Sequence, residues 1–225
     1  MTIEEYFNDW LRVIDRKELD SVVNKLLIEY KKKPIYPKQS DIFKAFHLCS
    51  YRDCIVVFIG LDPYPQKGVA TGILFGNNNN TLEESLSPSL KVIKNSVIDL
   101  HKSHNLLTFD PTLESWVKQG ILMLNSALTV EENKVGSHTM LWRPFISKLL
   151  INMSKANAGI IYVLFGNTAH TFEPYIGKLN HIFKVKHPSY YARLNKDMPS
   201  DIFYEINRLV KEKYNYKINW YNEEN

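Results

Sequence analysis

Residues 54–75 read CIVVFIGLDPYPQKGVATGILF, and this stretch contains an apolar run that ends beside an aspartate. The run CIVVFIG at 54–60 is rich in β-branched and aromatic residues and is bounded by turn-forming residues, which predicts a buried strand. Asp62 follows it within the turn sequence LDPYP, and Phe75 lies thirteen residues further along. A carboxylate at the end of a buried strand is therefore the first candidate for a functional residue.

The rest of the chain alternates strand-like and helix-like patterns around this stretch. Three further runs predict buried strands: ILMLN at 121–125, IIYVLFG at 160–166 and HIFKVK at 181–186. Helical patterns cover 2–32 (two helices), 88–102, 112–119, 140–155, 168–179 and 200–214, the last with Ser200 as its N-cap. This alternation predicts an α/β fold, a three-layer α/β/α arrangement with a central, mainly parallel four-stranded sheet. We expect a single domain over residues 1–225, with an N-terminal helical part at 1–50 packed on the α/β core.

Composition narrows the protein class only a little. The 225 residues carry a net charge of +4 with a pI near 8.8, which fits a nucleic-acid partner but is also common in other proteins. Cys49 and Cys54 are too few for a disulfide framework and lack the second cysteine pair of a structural zinc site. The sequence has no basic-then-apolar leader and no apolar stretch of membrane-spanning length. We therefore expect a soluble, intracellular protein with no membrane partner and no metal.

Polar residues follow each of the four predicted strands. Asp62, Asn125, Asn167 and His187 stand at or just after the strand ends. Ligands of open α/β sheets bind at the carboxyl ends of the strands, so we expect these side chains to converge. Four candidates also have an ordinary interpretation, since Asp62 could serve only a turn, Asn125 a helix cap, His187 a loop, and Phe75 the core.

Longer motifs around these residues resemble those of the family-1 uracil-DNA glycosylases. GLDPYP, with Phe75 at its offset, is similar to the family's GQDPYH and the phenylalanine that follows it. WVKQGILMLNSALTV resembles a family motif over its whole length, and SLKVIKNSV, LFGNTAH and HPSYYAR resemble three others. The pair Ser137-His138 also matches. The resemblance covers essentially the whole chain in the same order, and it implies a monofunctional hydrolase that removes uracil from DNA and leaves an abasic site for base-excision repair.

Three residues depart from the family pattern. Leu61 stands where the family has glutamine, Pro65 replaces a histidine, and Tyr191 occupies the place of a leucine that is pushed into the DNA stack. These departures leave a second hypothesis open, a glycosylase-fold DNA-binding or replication-accessory protein whose catalysis is weak or lost. A third hypothesis keeps the enzyme but changes the base that it removes. The carboxylate of Asp62 favours catalysis, because a pure binding module needs no negative charge beside the DNA backbone.

The resemblance also implies a role for each residue of a uracil pocket. The amide of Asn125 would read the edge of uracil that differs from cytosine, and the ring of Tyr64 would exclude the thymine methyl by clash. Phe75 would stack on the base, and Leu61 would contact it through its backbone.

The same resemblance implies the chemistry and the partners. Asp62 would stabilise the positive charge on the sugar and orient a water, and His187 would donate a hydrogen bond to the departing base. Contacts to DNA are expected from Ser89, Asn167, Ser189, Tyr191 and Arg193. The partners implied are uracil-containing single- or double-stranded DNA and DNA-mimicking inhibitor proteins. We expect a monomer that needs no cofactor.

Overall fold

Four parallel strands form the centre of the computed structural model, which describes residues 6–98, 100 and 107–223. Their bounds are Val56–Gly60 (β1), Ile121–Asn125 (β2), Ile161–Phe165 (β3) and His181–Val185 (β4). The order across the sheet is β2-β1-β3-β4, and every neighbouring pair is parallel. All four strands predicted from the sequence are therefore confirmed, with ends that differ by at most two residues.

Burial along the strands shows how the sheet is covered. Every residue of β1, β2 and β3 is buried, whereas β4, at the edge of the sheet, is partly exposed. Successive side chains of a strand point to opposite faces, so a strand that is buried throughout requires packing on both faces. The predicted α/β fold with a central parallel sheet is confirmed.

Eight α-helices lie wholly within the described residues and connect or flank the strands. They are α1 to α8 in chain order: Arg16–Glu29, Lys44–Leu48, Pro88–Ile98, Glu114–Val117, Thr139–Ala156, Gly166–His170, Pro188–Arg193 and Asp201–Tyr214. Short 3₁₀ turns lie at Asn8–Arg12, Gln39–Asp41, Glu83–Ser85 and Glu173–Tyr175. Two antiparallel pairs of two-residue strands, separate from the main sheet, join Ile35–Tyr36 to Val130–Glu131 and Leu107–Thr108 to Asn222–Glu223.

Several helix boundaries differ from the sequence prediction for identifiable reasons. The predicted helix at 168–179 divides into α6 and a 3₁₀ turn, because Pro174 has no backbone N–H with which to continue a helix. The sequence pattern predicts no helix at 188–193, yet α7 begins there at Pro188, which is tolerated at a first helical position. Ser200 occupies the N-cap position of α8 but makes no side-chain capping bond.

In the first predicted helix of the segment 2–32, the structure describes Tyr6 and Phe7, which are helical, and the 3₁₀ turn Asn8–Arg12 that follows them. Residues 2–5 of that prediction lie outside the described residues, as do residues 99 and 101–102 of the helix predicted at 88–102.

One continuous hydrophobic core joins the sheet, the helices and the C-terminal segment. The indole N–H of Trp116 donates to the carbonyl of Trp220 at 3.0 Å, and the two rings meet edge-on with Phe203. These buried aromatic rings attach the chain end to α4 and α8, because edge-to-face pairs add to the area that each ring buries. Among the described residues, no helix has the length and apolar character needed to cross a bilayer.

The turn before β2 is expected to depend on Gly120. Its φ is +88°, and a Cβ atom there would lie 2.2 Å from the carbonyl oxygen of Asp53. Gly68 has a similar φ of +77° but no atom within 4 Å of such a Cβ. Gly68→Ala should cost about 1–2 kcal/mol of unfolding free energy through backbone strain alone, and Gly120→Ala about 3 kcal/mol or more because the clash adds to it. Urea unfolding measures both variants, and equal losses would contradict the packing described for this turn.

Candidate active site

The carboxyl ends of the central strands open into a pocket of about 340 Å³. The pocket brings together nine of the residues that the sequence analysis proposes for the site: Leu61, Asp62, Tyr64, Phe75, Ser89, Asn125, Asn167, His187 and Ser189. Gly60 of β1 is paired with Asn125 of the neighbouring outer strand β2, which sets Asp62 and Asn125 at the same carboxyl edge of the sheet. The convergence expected from the topology is therefore seen in the structure.

Asp62 is a largely buried carboxylate held by a distant backbone group. Its Oδ2 accepts a hydrogen bond of 2.5 Å from the N–H of Gly136, which lies in the loop between β2 and α5. Burial raises the pKa of Asp62 from 3.8 to about 6, and the Gly136 N–H offsets part of that rise. Near neutral pH the carboxylate is therefore ionised, although its environment penalises the charge. A residue that served only a local turn would not be bonded to a segment 74 residues away.

His187 is placed so that its neutral ring has a defined tautomer. It is the N-cap of α7, and its Nδ1 accepts the backbone N–H of Ser189 at 3.2 Å. A backbone N–H can only donate, so the proton of the neutral imidazole lies on Nε2. Burial, together with the nearby charge of Arg193, lowers the pKa of His187 to about 4. The ring is thus neutral at physiological pH and has an N–H available to the pocket.

Asn125 supplies a buried amide whose acceptor is free. It is the last residue of β2 and is only 7% exposed. Within the part of the chain that the structure describes, its Oδ1 has no hydrogen-bond partner. Buried polar atoms are normally satisfied, so an unpaired oxygen on a pocket wall indicates a ligand that donates to it. The Asn125 side chain does not cap a helix, which is the alternative interpretation that the sequence left open.

Two aromatic residues form adjoining walls of the pocket. Phe75 is buried with φ 64°, a left-handed backbone that is unusual for a bulky residue, and its ring contacts Phe165 and His187 edge-on. The hydroxyl of Tyr64 donates to the carbonyl of Phe75 at 3.2 Å. Backbone strain of this kind persists where the surrounding structure holds it, as the contacts of Phe75 with Phe165, His187 and Tyr64 do here.

The remaining candidates lie in two different places. Ser89, near the start of α3, and Ser189, near the start of α7, both line the pocket, and α3 and α7 pack against each other. Tyr191 and Arg193 do not line it. Tyr191 is half-buried further along α7, and Arg193 is exposed at the end of that helix.

The departures at Leu61 and Pro65 are accommodated by backbone contacts. The carbonyl of Leu61 accepts from the hydroxyl of Ser126 at 2.7 Å and from the N–H of Ala127 at 3.0 Å. The carbonyl of Pro65 accepts from the N–H of Asn133 at 3.0 Å. Both residues line the pocket, so each contributes main chain and apolar surface where the family pattern has a polar side chain.

Sequence reasoning missed Gly136, the donor to Asp62. It directly precedes the matched pair Ser137-His138, and a glycine at that point was the only available signal. His138 itself lies away from the pocket, where its Nδ1 contacts the hydroxyl of Thr129 at 2.8 Å and its Nε2 lies 3.3 Å from the carboxylate of Glu29. Among the described residues, no cluster of three or more histidine, cysteine or acidic side chains is arranged to hold a metal ion.

Replacing Asp62 by asparagine should stabilise the protein at neutral pH. The pKa of Asp62 is raised from 3.8 in the unfolded chain to about 6 in the folded one. Ionisation of the carboxylate therefore costs no stability below about pH 4, an increasing amount between about pH 4 and about pH 6, and its full amount above that. Asp62→Asn should therefore raise the unfolding free energy by about 2–3 kcal/mol at about pH 7.5, and the gain should vanish near pH 4. Urea unfolding of both proteins at the two pH values tests this, and a gain that is independent of pH would contradict the proposed cause.

Comparisons with known proteins agree on one family. A sequence model of the uracil DNA glycosylase superfamily matches residues 46–211. The uracil-DNA glycosylase of Mycoplasmopsis pulmonis is 38% identical over 195 residues, covering 85% of each chain. That of Fusobacterium nucleatum is 32% identical over 222 residues, covering 95% of each chain.

Solved structures show the same fold. Mimivirus uracil-DNA glycosylase superposes with a TM-score of 0.75 at 22% identity, over 97% of this chain and 91% of the other. A variant of mimivirus UNG in complex with UGI gives a TM-score of 0.82 at 24% identity, over 98% of this chain and 89% of the other. With the pocket described above and relatives that match most of its length, the chain belongs to the uracil DNA glycosylase superfamily.

Proposed function

We propose that this protein is a uracil-DNA glycosylase that takes uracil out of the DNA stack and hydrolyses its N-glycosidic bond. The observation that carries the proposal is the unpaired buried oxygen of Asn125 in the same pocket as the desolvated carboxylate of Asp62. An enzyme that acts on a base in DNA must read it outside the duplex, in a pocket with polar groups at its inner wall. The product is an abasic site, which belongs to base-excision repair.

Asn125 would select uracil over cytosine through both ends of its amide. Its free Oδ1 can accept from N3–H of uracil, while its Nδ2 donates to O4. Cytosine presents an acceptor at N3 and an amino group at position 4, so both contacts would be mismatched. A site built to hydrogen-bond one pattern rejects the other strongly, because its own buried groups would be left unpaired.

Tyr64 and Phe75 would complete the recognition of the base. The Tyr64 ring, held by its bond to the Phe75 carbonyl, would occupy the space beside C5 and exclude the methyl of thymine by clash. Phe75 would stack on the face of the base, and the backbone of Leu61 would line its edge.

Asp62 and His187 would carry the chemical step. As the bond between C1′ and N1 breaks, its electron pair leaves with uracil, and positive charge develops on the sugar beside Asp62. The Asp62 carboxylate would stabilise that charge and orient a water towards C1′; the water oxygen then bonds to C1′ while one of its protons passes to the carboxylate. The Nε2–H of neutral His187 would donate to O2 of the departing uracil, which stabilises its negative charge without a full proton transfer.

The DNA strand would be held around the pocket mouth. Contacts to phosphates would come from Ser89, Ser189 and the backbone near Asn167. All three line the pocket, and they lie near the first residues of α3, α7 and α6. Tyr191 and Arg193, which lie outside the pocket on α7, would fill the gap left by the extruded nucleotide. Uracil-containing DNA, single- or double-stranded, is the substrate that this arrangement fits.

Further properties belong to the same proposal. We propose that residues 1–225 act as one domain and one monomer inside the cell, with the 1–50 segment packed on the α/β core. A variant of mimivirus UNG forms a complex with UGI, and we propose that this protein also binds inhibitor proteins that mimic DNA. Such inhibitors would compete with DNA for the surface around Tyr191.

An incision assay tests the proposed function. Purified protein is incubated, with EDTA present, with end-labelled oligonucleotides that contain one uracil, thymine or cytosine, and abasic sites are then cleaved with alkali. We expect cleavage at uracil only, because Asn125 and Tyr64 reject the other two bases, and we expect Asp62→Asn to lose at least about 10³-fold of the rate while still binding DNA. A protein that binds DNA but releases no base would support the binding-module hypothesis instead.

A further inference from the structure

A buried asparagine outside the pocket connects three parts of the site. Asn77 is 1% exposed, and both ends of its amide bond to one residue, Ser87. Its Oδ1 accepts the backbone N–H of Ser87 at 2.7 Å, and its Nδ2 donates to the Ser87 hydroxyl at 2.8 Å. Its own N–H donates to the carbonyl of Pro111 at 2.7 Å. Asn77 is therefore held by hydrogen bonds from two sides.

The two hydrogen bonds between the Asn77 amide and Ser87 form a clamp, and Ser87 connects this clamp to the start of α3. Its carbonyl accepts the N–H groups of Leu90 at 2.9 Å and Lys91 at 3.0 Å, the first bonds of that helix. Ser89, two residues later, is buried and lines the pocket. Fixing the backbone of Ser87 therefore fixes the position of Ser89 relative to the pocket.

The clamp also reaches the base-reading rings. Burial raises the pKa of Tyr64, and the hydroxyl of Ser87 lies close enough to that of Tyr64 to offset part of the rise. The Tyr64 hydroxyl donates to the carbonyl of Phe75 at 3.2 Å. Phe75 precedes Asn77 by two residues, so these contacts form a closed circuit through Phe75, Tyr64, Ser87 and Asn77. The segment from 78 to 85, between the two ends of the clamp, is mostly exposed.

We propose that Asn77 is a positioning residue that holds Tyr64 and the start of α3 in a fixed position relative to each other. This inference rests on the proposed function. A ring that rejects thymine by clash over one methyl group must be held rigidly, because a small displacement admits the methyl. The exposed loop between Asn77 and Ser87 has a closure cost, and the two hydrogen bonds between these residues join its ends directly.

A purely structural role for Asn77 makes a different prediction from a positioning role. Loss of stability alone lowers the melting temperature but leaves kcat and KM of the folded protein unchanged. Loss of positioning raises KM, because Ser89 moves relative to the DNA, and lowers kcat, because Tyr64 and Phe75 no longer hold the base in the reactive pose. Misplacement by about 1 Å is enough to lower a rate by up to about 10²-fold.

The test uses Asn77→Val with Asn80→Val as its matched control, since Asn80 is exposed in the same asparagine run. Steady-state and single-turnover excision of uracil from an oligonucleotide are measured well below the melting temperature of each variant. We expect Asn77→Val to raise KM and lower kcat, each about tenfold, while Asn80→Val stays within about twofold of the unchanged protein. Release from a thymine oligonucleotide is followed in parallel and should become detectable only in Asn77→Val.

A second pair of variants covers the case in which Asn77→Val does not fold. Ser87→Ala removes the hydroxyl that lies close to that of Tyr64, whereas Ser87→Thr retains it. We expect a fall in kcat for the alanine variant and its rescue in the threonine variant.

The outcomes separate the two claims. An unchanged kcat and KM in folded Asn77→Val, or equal kinetics in Ser87→Ala and Ser87→Thr, would overturn the positioning role while the proposed function stands. If the unchanged protein releases no uracil, the proposed function fails and this inference fails with it.

Discussion

The burial of the Asp62 carboxylate is the constraint on which the rest of the site depends. Taking an ionised carboxylate out of water is costly, and the N–H of Gly136 offsets only part of that cost. The cost can be sustained because β1 is paired with strands on both sides and buried at every residue. Asp62 follows β1 by two residues and lines the pocket, so the stability of the core holds the carboxylate in a position where its charge is partly desolvated.

The pocket shifts the pKa values of two titratable groups in opposite directions. Burial raises the pKa of Asp62 to about 6 and lowers the pKa of His187 to about 4. At neutral pH the site therefore contains one negative carboxylate and one neutral imidazole with its proton on Nε2. That division suits the breaking of a bond that leaves positive charge on a sugar and negative charge on a base. Around this pair, we propose that Asn125 and Tyr64 select the base, and the bonds from Asn77 to Ser87 lie between Tyr64 and the start of α3.

The sequence predicted the sheet and most of the pocket, because fully buried strands leave apolar runs and parallel strands all end at one edge. It did not predict α7, since HPSYYAR has the appearance of a loop until Pro188 is seen at the first helical position. The role of Gly136 was not predicted because this residue acts through a backbone N–H, which no side-chain pattern records. The role of Asn77 was not predicted because the run NNNN at 77–80 suggests a polar loop, and only the fold reveals that its first residue is buried.

The pH dependence of uracil excision tests the central claim most directly. Single-turnover rates are measured from about pH 4.5 to about pH 9 on one uracil oligonucleotide, with DNA binding followed at each pH. If a desolvated Asp62 carboxylate drives the reaction, the rate should fall below pH 6 with the loss of a single negative charge, following the raised pKa. A rate that stays constant down to pH 5, from protein that remains folded and bound to DNA, would contradict the account.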